Sequence, residues 1–270
     1  MNPLYRLSLC FMLLHGAVSL SQQTAVGVHE AVFPAQGYSF EIDRLGNIYW
    51  ISGSRLLRVN PETGHRQSYS NPSYGNILFV DVSDPLNIMV HHGALNQVLW
   101  LDRNLSPKVS PRNLPAHEIG DFRVVSGSAM GGFWAFHPKV SRIIHYSQSF
   151  AKKAQTLPLY EVIPGFNAPE FIVESEGMLF VNQPDIGIAV FDLFGNFLFF
   201  IEKIGLNRFQ VLGNNIFFFT ESELISFNFI QKTQSVILQL EKPILDGKIA
   251  GNTVFVLTRS GLYSYKLDGQ

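Results

Sequence analysis

Residues 43–64 read DRLGNIYWISGSRLLRVNPETG. The dipeptide Gly46-Asn47 feeds an apolar, aromatic run, Ile48-Tyr49-Trp50-Ile51. A turn at residues 52–55 leads to a second alternating run, Leu57-Arg58-Val59-Asn60, and Asn60-Pro61-Glu62-Thr63-Gly64 turns the chain again. Gly, Asn and Asp accept the positive φ of tight hairpin turns, and alternation of apolar with polar residues marks half-buried strands. The stretch predicts strand, turn, strand, turn.

The same unit recurs along the chain. Its first strand returns at Leu86-Asn87-Ile88-Met89-Val90, Gly131-Gly132-Phe133-Trp134-Ala135 and Glu176-Gly177-Met178-Leu179-Phe180, then at Asn214-Asn215-Ile216-Phe217-Phe218 and Gly251-Asn252-Thr253-Val254-Phe255. The spacing is about 40 residues, the length of a four-stranded propeller blade. The second strand returns at residues 98–102, 143–146, 188–192, 224–228 and 262–266. A further strand precedes each unit: Phe40-Glu41-Ile42, Val80-Asp81-Val82, Phe122-Arg123-Val124, Phe171-Ile172-Val173, Phe209-Gln210-Val211 and Lys248-Ile249.

Six units of four strands predict an all-β fold, a six-bladed β-propeller. The last unit is one strand short after Lys266. Residues 26–32 have strand character and are expected to supply its outer strand, which removes a sheet edge. A two-sheet β-sandwich is the rival, but sandwiches use far fewer strands. No helix is expected after residue 21; residues 150–153 read as at most a turn.

The chain has 270 residues, 46% hydrophobic and 15% charged, with a formal net charge of −1. That is enough apolar material for a large core and too much for a disordered chain. No stretch is dense in Lys and Arg. Nucleic acid and anionic membrane surfaces are therefore not expected as partners, because phosphate binding needs a basic footprint.

Residues 1–21 read as a secretory signal peptide. Arg6 supplies the positive charge, residues 7–14 are apolar, and Ala17-Val18-Ser19 and Ser19-Leu20-Ser21 are alternative cleavage sites. A membrane anchor is the competing reading, although the run is short for a span of about 20 residues. No later segment is a transmembrane candidate. The expected division is a signal at 1–21 and one propeller domain at 22–270. The sole cysteine, Cys10, lies in the signal, and Leu9 before it does not suit a lipoprotein site. The mature chain then has no disulfide, thiolate metal site or cysteine nucleophile. The expected location is periplasmic or secreted.

The blade from Gly46-Asn47-Ile48-Tyr49-Trp50 through Leu57-Arg58-Val59-Asn60 resembles the NHL, YWTD and TolB-like group of six-bladed propellers. Over about residues 25–270 the chain is also similar to small exported propellers of Bacteroidetes, through segments such as Asp84-Pro85-Leu86-Asn87-Ile88 and residues 98–106. The resemblance implies a fold and an exported compartment. It specifies blades rather than a site.

The search for chemistry yields no constellation. His91 and His92 are neighbours on a strand, so they point to opposite faces and do not readily share a metal. A metal site would need His137, Asp185 or Glu221 from other blades; the competing reading is surface or hydrogen-bonded histidines. A calcium-dependent lactonase would need inward carboxylates and an Asn. Asp81, Asp121, Glu170 and Asn182 are available, but none sits in a recognisable motif. Ser126-Gly127-Ser128 is not a nucleophile elbow, and residues 127–132 are not a phosphate loop. No catalytic residue, metal or cofactor is assigned.

The aromatics point elsewhere. Phe40, Phe79, Phe122, Phe171 and Phe209 recur near the start of the innermost strand and are expected to pack between blades. Phe194, Phe197, Phe199 and Phe200 crowd the turn and outer strand of the fourth blade, where alternation leaves some exposed; such patches mark interfaces. Residues 159–166, LYEVIPGF, are apolar for a connection. They read either as a partner site or as an inward plug of the channel. In the first case Tyr160 and Phe166 are anchors, with His91, Asn96, His137, Arg142, Asn182 and Asp185 as a polar rim.

The leading expectation is an exported, non-catalytic interaction module or scaffold in the cell envelope. It would be monomeric alone and bind a protein partner, with an outer-membrane or secretion assembly as the suggested context. The alternative is a small-ligand binder or metal-dependent, lactonase-type hydrolase with its site at the channel mouth. A structural, carbohydrate-associated domain is a third reading.

Overall fold

The computed structural model describes residues 39–108 and 124–267, and the backbone of residues 25–29 and 112–113. The expected signal peptide, Asp121, Phe122 and Arg123 lie outside the described residues.

The strands form six antiparallel four-stranded sheets. The outer strand β1 (Ala25–His29) belongs to the last of them. Blade one is β2 (Ser39–Ile42), β3 (Ile48–Ser52), β4 (Arg55–Val59) and β5 (Arg66–Ser70). Blade two is β6 (Ile77–Asp81), β7 (Ile88–His92), β8 (Gln97–Leu101) and β9 (Arg112–Asn113). Blade three is β10 (Val125–Gly127), β11 (Phe133–His137), β12 (Arg142–Tyr146) and β13 (Lys152–Gln155). Blade four is β14 (Phe171–Ser175), β15 (Met178–Gln183), β16 (Gly187–Asp192) and β17 (Phe197–Ile201). Blade five is β18 (Gln210–Leu212), β19 (Asn215–Phe219), β20 (Glu223–Asn228) and β21 (Thr233–Gln239). Blade six is β22 (Ile244–Ala250), β23 (Thr253–Thr258) and β24 (Gly261–Lys266), with β1 as its fourth strand.

The chain is thus a six-bladed β-propeller, closed as its sequence predicts. Strand β1 pairs antiparallel with β24, Val28 opposite Tyr263 and His29 opposite Leu262. Three details differ from the sequence reading, one of them a 3-10 turn at Pro72–Tyr74 before β6. The inner strand of blade three is Val125–Gly127. And the connection after β13 contains one helical turn, α1 (Leu159–Val162). Pro158 at its N-cap has extended backbone, and the stretch is too short to show helical periodicity.

The opening stretch shows why the turns form where they do. Asp43 is buried, and its carboxylate accepts from the backbone N–H of Leu45 and Asn47, the Asn47 amide and the Tyr49 hydroxyl. One side chain therefore closes the turn and fixes the start of β3. Asp102 and Asp192 act alike: each accepts from the N–H groups two and four residues on. This is local side-chain-to-backbone bonding, which needs no other part of the fold.

The blades are sealed to one another by apolar clusters and by polar contacts between inner strands. Trp134, Phe166, Ile172 and Leu179 share the cluster between blades three and four, and Phe180, Phe209 and Ile216 share that between blades four and five. At the seams, Lys248 of β22 pairs with Glu41 of β2 at 2.8 Å. Gln210 exchanges hydrogen bonds with the N–H and C=O of Ile249. Ser175 donates to the carbonyl of Val211. Glu174 accepts from the Trp134 indole and the N–H of Ala129. Gly127 lets the Asp81 carboxylate approach so closely that a Cβ there would lie 1.8 Å from it. That is why blade three carries glycine at this point.

Candidate functional site

Blades of this kind present three places for chemistry: the hairpin loops, the blade connections and the central channel. The hairpin loops carry the sequence-predicted rim. His91 and His92 are both fully buried and hydrogen-bonded, so of the expected surface or hydrogen-bonded roles it is the second that they take. They point to opposite faces, as alternation requires. His91 Nε2 bonds Asn96 Oδ1 at 2.8 Å across its own hairpin. His92 bonds the Gly75 carbonyl at 2.8 Å and the Tyr69 hydroxyl at 3.1 Å, between the rings of Tyr69 and Tyr74. Burial depresses the His92 pKa, although the Gly75 carbonyl partly restores it.

His137 is also buried, with its Nε2 2.9 Å from the Tyr146 hydroxyl. Burial, helped by the charge of Lys152, lowers its pKa to about 4. Arg142 donates to the Thr156 carbonyl at 2.8 Å, and the Asn182 amide donates to the carbonyl of Leu206. Asp185 is exposed on the β15–β16 hairpin. Of the six rim residues, four bond within their own blade or its following loop, Asn182 holds the connection to blade five through Leu206, and Asp185 alone is fully presented. Among the described residues no group of three His, Cys, Asp or Glu side chains is placed to hold a metal ion.

The pH dependence follows from these histidines. A depressed His pKa means that the folded state binds fewer protons than the unfolded state between pH 6.5 and about 4. Stability is then complete above pH 6.5 and falls as pH drops toward 4. For His137 the expected loss is on the order of 2 kcal/mol, after discounting for solvent screening near the loop. Glu41 works in the opposite direction, because burial raises its pKa. Comparing denaturation of the intact protein with His137→Gln from pH 7 to 4 isolates the histidine. The variant should show the shallower acid slope, and equal slopes would refute the assignment.

The apolar connection divides. Phe166 is fully buried and packs with Trp134, Phe136, Ile143 and Leu159. It is a core residue rather than an exposed anchor, because the turn after α1 folds back over the seam of blades three and four. Gln183 holds that turn by accepting from the N–H groups of Asn167 and Ala168. Tyr160, on the outer face of α1, stays 53% exposed.

Part of the aromatic cluster of blade four is exposed as expected, but β17 does not alternate: Phe197 and Leu198 are both exposed, and Phe199 and Phe200 are both half-buried, across a register shift in the ladder. Phe194 is 76% exposed, and Phe197 and Leu198 are exposed beside it. Phe191, opposite Phe197 in the ladder, is buried.

The channel forms a broad concavity. It encloses about 870 Å³ and takes residues from the inner strand of every blade, among them Glu41, Asp81, Ser126, Glu174, Gln210 and Lys248. Phe79, Phe171 and Phe209 also line it, and the last two meet edge to face at 5.1 Å. Phe171 and Phe209 thus pack between blades as expected, while turning part of each ring to the channel. Lys248 remains charged: burial opposes that, but the carboxylates of Glu41 and Asp246 outweigh it and raise its pKa. Sequence reasoning missed the Glu41–Lys248 pair, whose partners are 207 residues apart. It also missed Arg208 and Asp246, which line the same wall. For Glu41, Asp246 and Lys248 the available signal was a charged residue within an otherwise apolar inner strand; Arg208 lies before β18 and left none.

No protein-family model and no curated protein matches the chain in sequence. Solved structures do match in fold. Virginiamycin B lyase from Staphylococcus aureus is 11% identical, with a TM-score of 0.61 over 88% of this chain and 97% of that one. A chain of the mitotic checkpoint complex is 9% identical, with a TM-score of 0.65 over 99% of both chains. The extracellular domain of a hybrid two-component system from B. thetaiotaomicron is 15% identical, with a TM-score of 0.53 over 92% of this chain and 34% of that one. At such identity these likenesses establish the six-bladed propeller and nothing finer.

Proposed function

We propose that the protein is an exported, non-catalytic interaction module that docks a protein partner of the cell envelope on the flank shared by blades three and four. The observation that carries this reading is the exposed apolar surface there: Leu157, Tyr160, Phe194, Phe197 and Leu198. The two halves of the surface adjoin. A Cβ on Gly195 would lie 2.3 Å from the Gln155 carbonyl, so the turn bearing Phe194 sits against the end of β13. Leu157 and Tyr160 follow that strand directly.

Large aromatics on a rigid sheet supply contact area at low entropic cost, which is why they dominate binding hot spots. The neighbouring outer strand β13, KKAQ, and the outer strand of blade one, RQSYS, are polar or charged, whereas β17 is FLFFI. A bulge between Phe197 and Phe199 twists the β17 edge away from strand addition. This favours docking through side chains and a protein that is monomeric alone. The extracellular placement of one similar domain, and the presence of another similar chain in an assembly, are compatible with this use of the fold.

The test is the double variant Phe194→Ser with Leu198→Lys, cross-linked in the native envelope. Partner capture should fall at least tenfold, while stability stays within about 0.5 kcal/mol, as for surface substitutions. Asp185→Ala should leave capture unchanged. Undiminished capture by the double variant would exclude the flank, and loss with Asp185→Ala would move the site to the hairpin rim.

A further inference from the structure

Blades five and six turn from their second to their third strand through the same hairpin. Blade five reads Thr220-Glu221-Ser222-Glu223-Leu224-Ile225, and blade six reads Thr258-Arg259-Ser260-Gly261-Leu262-Tyr263. In both, the threonine hydroxyl accepts from the N–H of the serine two residues on, at 3.4 Å from Ser222 and 3.2 Å from Ser260. In both, the serine stands exposed at the tip. The third strand then brings up a different residue: Ile225, opposite Phe218, in blade five, and Tyr263, opposite Val256, in blade six.

That exchange builds a side-chain cluster in blade six. The Ser260 hydroxyl lies 2.9 Å from the hydroxyls of both Tyr263 and Thr258. Thr258 is buried and donates to the Gly261 carbonyl at 3.2 Å, so its proton is committed. Ser260 is left to donate to Thr258 or to Tyr263. Lys242, on the connection between β21 and β22, donates to the Tyr263 hydroxyl at 3.3 Å and holds its ammonium 5.1 Å from the centre of the same ring. Hydrogen bonds from Ser260 and Lys242 lower the Tyr263 pKa. When the phenol ionises, both neighbours donate to it. A hydroxyl within reach of a base, with the base oriented by a third group, is the arrangement that activates a nucleophile.

We infer that Ser260 is a covalent acylation site, with Tyr263 as its base and Lys242 as the residue that positions that base. The acyl donor is an activated carboxylic ester. Ser260 Oγ attacks the ester carbonyl, and its proton passes to the Tyr263 oxygen. The tetrahedral adduct collapses, and the bond to the leaving group breaks. The leaving group departs with the electron pair and takes up the proton from Tyr263. The products are acylated Ser260 and the free phenol or thiol. A phenolate is a moderate base, and Ser260 and Lys242 are open to solvent. The leaving group must therefore be a weak base itself, which selects aryl esters and thioesters over amides and alkyl esters. The inference does not depend on the flank proposed above, because its residues belong to blade six and the connection that leads into it.

The probe is p-nitrophenyl acetate with the intact protein, the acetyl group being located by peptide mass spectrometry. Ser260 should be acetylated about tenfold faster or more than Ser222, which shares the hairpin but not the tyrosine. Tyr263→Phe should slow labelling of Ser260 by about tenfold or more. Lys242→Gln should move the midpoint of its pH profile upward, because the ionised phenol loses a donor, whereas Lys242→Arg should keep the original profile. Lys242 is exposed, so these two variants test the inference even if Tyr263→Phe fails to fold. Equal labelling of Ser260 and Ser222 would overturn the inference. So would acetyl groups on Tyr263 or Lys242 in place of Ser260, or a pH profile that Lys242→Gln does not move.

Discussion

A chain beginning at Glu30 is expected to melt well below one beginning at Ala25, and to associate at micromolar concentration. The difference between the two is strand β1. Its antiparallel pairing with β24 runs from Ala25 opposite Tyr265 to His29 opposite Leu262. At roughly 1 kcal/mol of net stability per backbone hydrogen bond, losing this ladder costs about 4 kcal/mol. The cost is not only local. Strand β24 becomes the outer strand of a three-stranded blade and presents an unpaired row of N–H and C=O groups, a template for pairing with a second chain. Thermal denaturation and sedimentation of the two truncated chains measure both effects. Equal melting temperatures with both chains monomeric would show that the ring does not depend on this closure.

Phe166→Ala should destabilise the protein by about 3–5 kcal/mol, the cost of a large cavity in a packed core. Phe166 is fully buried in the cluster that joins Trp134 of blade three to Ile172 and Leu179 of blade four. Tyr160→Ala, six residues earlier in the same connection, should change stability by less than about 0.5 kcal/mol. Chemical denaturation of the two variants separates the roles of one apolar loop: Phe166 holds a seam, and Tyr160 belongs to the exposed flank. A stable Phe166→Ala variant would mean that the loop is not packed against the blades in solution.

The contrast within residues 159–166 shows where sequence reading runs out. Apart from Glu161, the residues of this stretch are apolar or amphipathic enough to serve as plug or platform. Which of them is covered depends on Trp134 and Leu179, which come from other blades. The histidines repeat the lesson. Alternation places His91 and His92 on opposite faces, and it does so correctly. It does not reveal that both faces are buried, because in a propeller each blade is covered on its two sides by its neighbours. Surface exposure, read from a single strand, is therefore overestimated for hairpin residues such as His91, His92 and His137.

What the sequence by itself determined is whatever is decided within one blade. Asp43, Gly46 and Asn47 make their turn through bonds spanning at most six residues, so the unit can be recognised wherever it recurs. The repeat sets the blade count, and the missing last strand sets the closure. The tertiary structure alone decided the contents of the seams and the channel. Glu41 meets Lys248 only once the ring has closed, and Glu174 finds the Trp134 indole only when blade four packs on blade three. Arg208 and Asp246 are far apart in the sequence and line one channel only in the folded ring. Local hydrogen bonds and alternation act over a few residues and leave a periodic trace in the chain. Contacts between blades join residues 36 to 207 positions apart, and nothing in the spacing of either partner announces the other.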